Sequence, residues 1–395
     1  MVGKDGPKRS YNLEGILTEK HIQCILQKHS TDGEKLVIIG SEAKPAVEGL
    51  AGFLADHIRV VLVVKCAARV DKIRLFVKRV PLENKPKAES QPLSYVNTDS
   101  LVVMPDLAAE GYILRPLLET LDLQHVLLTV TSIARFHAAF ANYETNKTID
   151  VNRPYDFYSE FGHILTESTF QDTPWVRTGA KLSADLLEAF STKYSQIPGL
   201  EEKLAKLYVK ACESLDIAEG TLNVVVHKDL WINNILYKYE KGEPVNALLI
   251  DYQCVRYGPP AFDLTAFLYL NTTRKFRVEN ESQIFEHYFE IFSAALEDAT
   301  KKRLDILGYD KGEFLSWCEK SRMFGAFEAV GIFPQVLMDA KTAEQVFDDP
   351  ETFMKIVEED RSGPVVAYAE KYPAYRERNL EVSEEFVERY VVGNP

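Results

Sequence analysis

Three residues with side chains suited to phosphate chemistry share one short stretch of the sequence: His227, Asp229 and Asn234, in the order His-x-Asp-x-x-x-x-Asn. A second aspartate, Asp251, follows downstream. Phosphoryl transfer needs little covalent help from a protein; it needs charge neutralisation and alignment. This set supplies both. Asp229 is placed to accept a proton from a substrate hydroxyl, while an amide oxygen and a carboxylate, Asn234 and Asp251, are hard ligands suited to Mg²⁺ on a triphosphate.

The flanking pattern says which elements must carry these residues. Leu222 to Val226 is a β-branched apolar run that stops at His227, as a buried strand would. A polar loop, His227 to Asn233, follows it. Two strand-like runs come next, Asn234 to Tyr239 and Val245 to Asp251, separated by Glu240-Lys241-Gly242-Glu243-Pro244. Gly and Pro in that gap predict a hairpin with a longer loop. A ladder symmetric about Gly242 and Glu243 sets Asn234 opposite Asp251, with Cα atoms roughly 4.5–5.5 Å apart.

Three segments together, His227-Lys228-Asp229-Leu230-Trp231-Ile232-Asn233-Asn234, Leu249-Ile250-Asp251-Tyr252-Gln253 and Tyr257-Gly258-Pro259-Pro260-Ala261-Phe262-Asp263-Leu264, resemble the ecdysteroid kinase-like family of the aminoglycoside phosphotransferase and choline kinase superfamily. The resemblance runs from about Gly52 through the C-terminal helices. It implies an α+β, two-lobed protein-kinase-like fold: a small antiparallel-sheet lobe over residues 1–107, nucleotide-binding, and a large, mainly helical lobe over 108–395. It also implies ATP and Mg²⁺ as cofactors and a small-molecule hydroxyl as acceptor, such as that of an ecdysteroid. Tyr252-Gln253 stands in place of the Phe-Gly of protein kinases, and no Ala-Pro-Glu follows in range, so no peptide-binding activation segment is expected.

Several roles come from that resemblance. His227 packs and fixes the loop backbone. Lys78, at the end of Leu75-Phe76-Val77-Lys78, contacts the α- and β-phosphates, although an exposed strand lysine would read the same. Leu101 to Leu107 resembles the strand that offers backbone groups to adenine, through Met104 and Leu107, with Pro105 removing one donor. Asp263 supports the catalytic loop through backbone hydrogen bonds. Lys228 stands where the family usually has glycine; it is expected to touch solvent only, the alternative being that it adds positive charge near the transferred group. The small-residue stretch Gly49 to Asp56 resembles the turn over the nucleotide phosphates, or an ordinary hairpin loop.

The small lobe reads as shortened. After Lys78 the fold calls for a glutamate-bearing helix and two strands, yet only about twenty residues precede the next clear strand, Leu101 to Met104, and they include Pro81, Pro86 and Pro92. Glu83 and Glu89 are the available partners for Lys78. A second reading follows: a catalytically impaired pseudokinase that binds a small molecule or nucleotide.

Elsewhere, Leu123 to Phe140 has helical periodicity, with His137 on its apolar face as a core histidine bonded to a backbone carbonyl. Residues 13–29 read as a helix on the small lobe. Residues 152–215, 283–299, 313–338 and 351–391 read as helical, with loops at Gly308 and Gly363-Pro364. The net charge of −13 opposes binding to nucleic acid or anionic membranes. Five scattered cysteines without a C-x-x-C fit a reducing compartment, and no apolar run approaches a membrane span. With no apolar leader in residues 1–10, a cytoplasmic enzyme without an obligate protein partner is expected.

Overall fold

The structure, a computed structural model, describes residues 13–30, 35–46, 56–66, 69–79, 96–98, 101–165, 167, 170–347, 354–356 and 358–393. The chain forms two compact units, Met1–Tyr112 and Ile113–Pro395.

The first unit is a helix on a five-stranded antiparallel sheet. Helix α1 (Glu19–His29) starts at Thr18, whose hydroxyl accepts the His21 N–H while the His21 ring accepts the Thr18 N–H. This reciprocal capping satisfies two donors that a helix start leaves open. The sheet contains β1 (Val37–Pro45), β2 (Asp56–Cys66), β3 (Arg69–Arg79), β4 (Val96–Thr98) and β5 (Leu101–Pro105), in the order β1-β2-β3-β5-β4. Alternation with period two sends Ile73, Leu75 and Val77 to one face. There they meet Ile58, Val60 and Val103 from β2 and β5, and Ile16, Leu17 and Ile25 from the N-terminal segment and α1. Lys78, one residue on from Val77, is half-buried on the opposite face, registered against His57 and Val102.

Two strands do follow Lys78. β4 pairs antiparallel with β5, Asn97 opposite Val102. It went unread because three residues without alternation carry no period. The expected turn at Gly49–Ala55, and Pro81, Glu83, Pro86, Glu89 and Pro92, lie outside the described residues.

The two-residue strand β6 (Tyr112–Ile113) stands where the first unit ends and the second begins. The second unit opens with α2 (Leu123–Val151), capped by Asp122 on the His125 N–H at 3.0 Å and ended by Asn152 at φ +51°. Then come α3 (Phe157–Phe161), α4 (Pro174–Phe190) and α5 (Leu200–Glu213). Strand β7 (Val224–Val226) precedes the hairpin of β8 (Ile235–Glu240) and β9 (Glu243–Leu249), and β10 (Arg256–Gly258) returns to pair with β7. Helices α6 (Ala261–Asn271), α7 (Arg274–Ala295), α8 (Asp298–Leu307) and α9 (Lys311–Val336) follow, and then Ala340–Phe347, Ser362–Lys371 and Pro373–Phe386. Gly363-Pro364, expected as a loop, instead opens the helix Ser362–Lys371. Proline suits a first helical turn, where its missing N–H has no partner to lose.

Every residue of α6 is buried. A helix apolar on all sides needs neighbours all round. One of them, α9, comes so close that a Cβ on Gly325 would sit 2.8 Å from the Thr265 carbonyl carbon.

The hairpin corrects the expected register. Lys241 and Gly242 both have positive φ, +52° and +90°, which is the twist of a two-residue type I′ turn. The turn is therefore centred one residue earlier than the Gly242-Glu243 reading, with Glu240 opposite Glu243. A bulge between Lys238 and Tyr239 then shifts the ladder, and Ile235 faces Leu249. Asn234 is level with Ile250, whose N–H donates to the Asn234 carbonyl at 3.0 Å. Asp251 does not face Asn234 across a ladder; it lies beyond the end of β9.

Candidate active site

The loop after β7 is held from below by α6. Asp263, in the first turn of that helix, is completely buried. Its Oδ2 accepts the His227 backbone N–H at 2.7 Å and its Oδ1 accepts the Lys228 N–H at 2.7 Å. His137 of α2 reaches the same carboxylate through Nε2 at 3.0 Å, and its Nδ1 meets the Tyr288 hydroxyl at 2.8 Å. His137 is thus a core histidine, as expected, but bonded to a carboxylate and a phenol instead of a backbone carbonyl. Two turns further along α6, the Asn271 amide donates to the Leu230 carbonyl at 2.6 Å. One rigid helix therefore holds the loop on both sides of Asp229.

His227 ties the same loop to the end of the hairpin. The Asp229 N–H donates to its Nδ1 at 3.3 Å, so the ring proton sits on Nε2 and is donated to the Ile250 carbonyl at 2.9 Å. That bond fixes the backbone immediately before Asp251.

The short turn Ile232–Asn234, with the Asn234 N–H bonded to Trp231 O at 2.9 Å, swings the Asn234 amide back toward Asp229. Its Nδ2 donates to the Asp229 carbonyl at 2.7 Å and to Asp229 Oδ2 at 2.9 Å. Both donor hydrogens are thereby used. The Asn234 Oδ1 takes no hydrogen bond among the described residues, which leaves an oriented oxygen. Asp251 has φ +66° and ψ +62°, a left-handed conformation that is costly for a residue with a Cβ and that is enriched at functional positions. Asp229 is half-buried. Burial pushes its carboxyl above the ordinary aspartate value and the charge of Asp251 adds to that, while the Lys228 charge and the hydrogen bond from Asn234 oppose it. An amide oxygen and a carboxylate are each the type of oxygen donor that Mg²⁺ takes alongside phosphate oxygens.

Lys228 departs from expectation. Its φ of +65° explains why glycine suits this position. Its side chain does not face solvent: it is 5% exposed and its Nζ lies 2.5 Å from Glu167 Oε2 and 4.9 Å from the centre of the Phe170 ring. Arg256 of β10 reaches the same carboxylate oxygen at 3.4 Å. Glu167 is separated from Lys228 by two helices in the sequence, and no local pattern links the two. Replacing Lys228 with glycine should relieve about 1 kcal/mol of backbone strain. Breaking a buried pair by removing one partner costs about 3–5 kcal/mol, so a net loss of about 2–4 kcal/mol is expected. Urea denaturation of Lys228→Gly, Glu167→Gln and the double variant checks this. The double variant should be more stable than Lys228→Gly alone, and strict additivity would remove the coupling.

Lys78, Met104 and Leu107 belong to the other unit. Met104 lies in β5 opposite Phe76. Leu107 opens a short 3-10 turn capped by Asp106, whose carboxylate accepts the Ala108 N–H at 3.2 Å. The Leu107 N–H, first in that turn, is outside the turn's own hydrogen bonds. His137, Tyr288, Asn271, Glu167 and Arg256 were not read as site residues. Of these, only His137, a polar residue on an apolar helical face, left a signal in the sequence.

Comparison with known proteins adds the family. The ecdysteroid kinase-like family model matches residues 64–301. No curated protein matches the chain. Among solved structures, the chain is similar to an ethanolamine kinase from Plasmodium vivax, at 12% identity over 93% of this chain and 91% of that one, with a TM-score of 0.39. It is similar to choline kinase LicA from Streptococcus pneumoniae, at 14% identity over 90% and 100%, with a TM-score of 0.34. An aminoglycoside-3'-phosphotransferase of type VIII matches at 16% identity over 74% and 99%, with a TM-score of 0.30. With more than half of its length matched by that model, the chain belongs to the ecdysteroid kinase-like family.

Proposed function

We propose that the chain is an ATP-dependent kinase that moves the γ-phosphoryl group to a hydroxyl of a small, lipophilic acceptor such as an ecdysteroid. The observation that carries this is the Asp229–Asn234 pair, a carboxylate and an amide bonded to each other on a loop whose backbone the buried Asp263 holds. Asp229 orients the acceptor hydroxyl and takes its proton; its raised affinity for protons suits that task. Asn234 Oδ1 and Asp251 would hold Mg²⁺, which when bound neutralises charge on the triphosphate. Lys78 contacts the nonreacting phosphates, and the backbone at Met104 and Leu107 meets adenine. His227, Asp263 and Asn271 keep the loop in place. The lipophilic acceptor is supported by the family's description. A cytoplasmic setting is part of the same reading, and no helix of the described residues is long and apolar enough to cross a membrane.

The test is to incubate the protein with Mg²⁺, ATP and a panel of alcohols that includes polyhydroxylated steroids, and to look for phosphate esters by mass spectrometry. Transfer to at least one neutral alcohol is the expected result. ATP binding without transfer to any acceptor would favour the pseudokinase reading.

A further inference from the structure

Lys228 immediately precedes the proposed proton acceptor, and it is held in two costly ways at once. Its φ of +65° is a strained conformation for any residue with a Cβ. Its side chain is 5% exposed, and an ammonium that deep stays charged only beside a partner.

The chain between α3 and α4 supplies that partner from a fixed position. Glu167 Oε1 accepts the Phe170 N–H at 2.7 Å, while Oε2 meets Lys228 Nζ at 2.5 Å and Arg256 at 3.4 Å. The Phe170 ring lies against the same ammonium, its centre 4.9 Å away. The Glu167 side chain is 6% exposed, so solvent screens the attraction little. Arg256 also reaches Asp216, at 3.6 Å. Lys228 has no ion-pair partner besides Glu167 among the described residues, so it is the cation that depends on this carboxylate.

The backbone bonds of the loop leave that dependence in place. Asp263 holds the N–H groups of His227 and Lys228, which come before the Lys228 Cα, and Asn271 holds the Leu230 carbonyl. Between these two anchors the chain turns on the torsions of Lys228 itself. The Asp229 N–H has only a long bond, 3.3 Å, to His227 Nδ1. An ammonium without Glu167 would gain by moving to water, and the left-handed turn would relax as the side chain left.

We propose that Glu167 is a positioning residue for the transfer: it tethers the Lys228 side chain in the interior, keeps residue 228 in its left-handed turn and thereby aims the Asp229 carboxylate. The inference rests on the kinase reading and adds to it a residue from outside the motif. It carries a specific consequence. Glycine takes such a turn unaided, so the tether is dispensable once residue 228 is glycine.

The experiment uses the full chain, well below each variant's thermal midpoint. Transfer to an accepted neutral alcohol is measured with Mg²⁺ and ATP, and amide hydrogen exchange over residues 227–234 is followed separately without ligands. Glu167→Ala is expected to lower kcat by about 30-fold or more, because a small displacement of a reacting group is costly. The KM for ATP should stay within about twofold, and exchange at the Lys228 and Asp229 N–H groups should accelerate. Adding Lys228→Gly should return kcat to within about threefold of the parent, the remainder reflecting the greater freedom of glycine. Exchange should slow again with it. If Glu167→Ala does not fold, Glu167→Gln takes its place, with the same reversal by Lys228→Gly expected.

A Glu167→Ala protein as fast as the parent would overturn the proposal. So would a double variant no faster than Glu167→Ala, since Glu167 would then act through Phe170 or Arg256 and not through Lys228. Transfer to no alcohol by the parent protein would sink the kinase reading by itself. The exchange rates then decide on the tether: acceleration in Glu167→Ala that Lys228→Gly reverses upholds it, and unchanged exchange overturns it.

Discussion

Asp229→Asn is expected to lower kcat for phosphoryl transfer by about 10³-fold, within the range of about 10²–10⁴ that a positioned general base contributes. Asparagine preserves the size of the side chain and an oxygen to accept from Asn234 Nδ2, which lies 2.9 Å from Asp229 Oδ2. What it removes is the capacity to take a proton. The hydrogen bonds of Asp263 to His227 and Lys228 and of His227 to Ile250 do not involve the Asp229 side chain. The loop should therefore keep its shape, and the KM for ATP should stay within about twofold if the change removes only a transition-state interaction. Single-turnover transfer from labelled ATP to an accepted alcohol separates the two quantities. Equal rates in parent and variant would show that Asp229 takes no proton in the rate-determining step.

Asp263→Asn is expected to be the most damaging conservative change to stability, at about 3–5 kcal/mol, the usual cost of breaking a buried, charged network from one side. The carboxylate accepts from His227 N–H, Lys228 N–H and His137 at once, with no solvent access. An asparagine has one acceptor oxygen, so its amide nitrogen would confront a backbone N–H that is also a donor. Two donors face to face in the interior leave both unsatisfied. Guanidinium denaturation of the variant measures the loss. Activity should fall with it, because the backbone that carries Asp229 would no longer be held. A variant as stable as the parent would mean that the three bonds are replaceable by other partners, against the geometry.

Asp263 also shows what the sequence made legible. Its place at the start of an apolar helix, after a Gly-Pro-Pro turn, marked it as a first-turn acid, and the resemblance to the family suggested bonds to the loop. The identity of the bonded groups needed the folded chain. The same division holds at Lys228. Its number in the motif was plain from the sequence, while its burial against Glu167 was not, because that contact joins segments 61 residues apart. The hairpin failed for a local reason. A Lys-Gly pair in a type I′ turn moves the expected partners by two residues and the bulge at Lys238/Tyr239 moves them back by one, and the unbroken apolar runs Ile235-Leu236-Tyr237 and Ala247-Leu248-Leu249-Ile250 put apolar residues opposite one another in either register. Asp251 then reaches its position through a left-handed backbone conformation after the strand instead of by facing Asn234.

By itself, then, the sequence determined the order of the chemistry-bearing residues, the presence of the strands that flank them, and the family. All of these are written in short-range periodicity and in motif spacing, which act over one or two turns of chain. The tertiary structure alone decided that Asp263 and His137 share a network with Tyr288, that Lys228 is paired in the interior, and that Glu328 is buried with one carboxyl oxygen unpartnered among the described residues. Such pairings are set by which buried surfaces meet when α2, α6, α7 and α9 pack, and a polar residue on a buried helix face looks the same in sequence whether or not a partner waits opposite it.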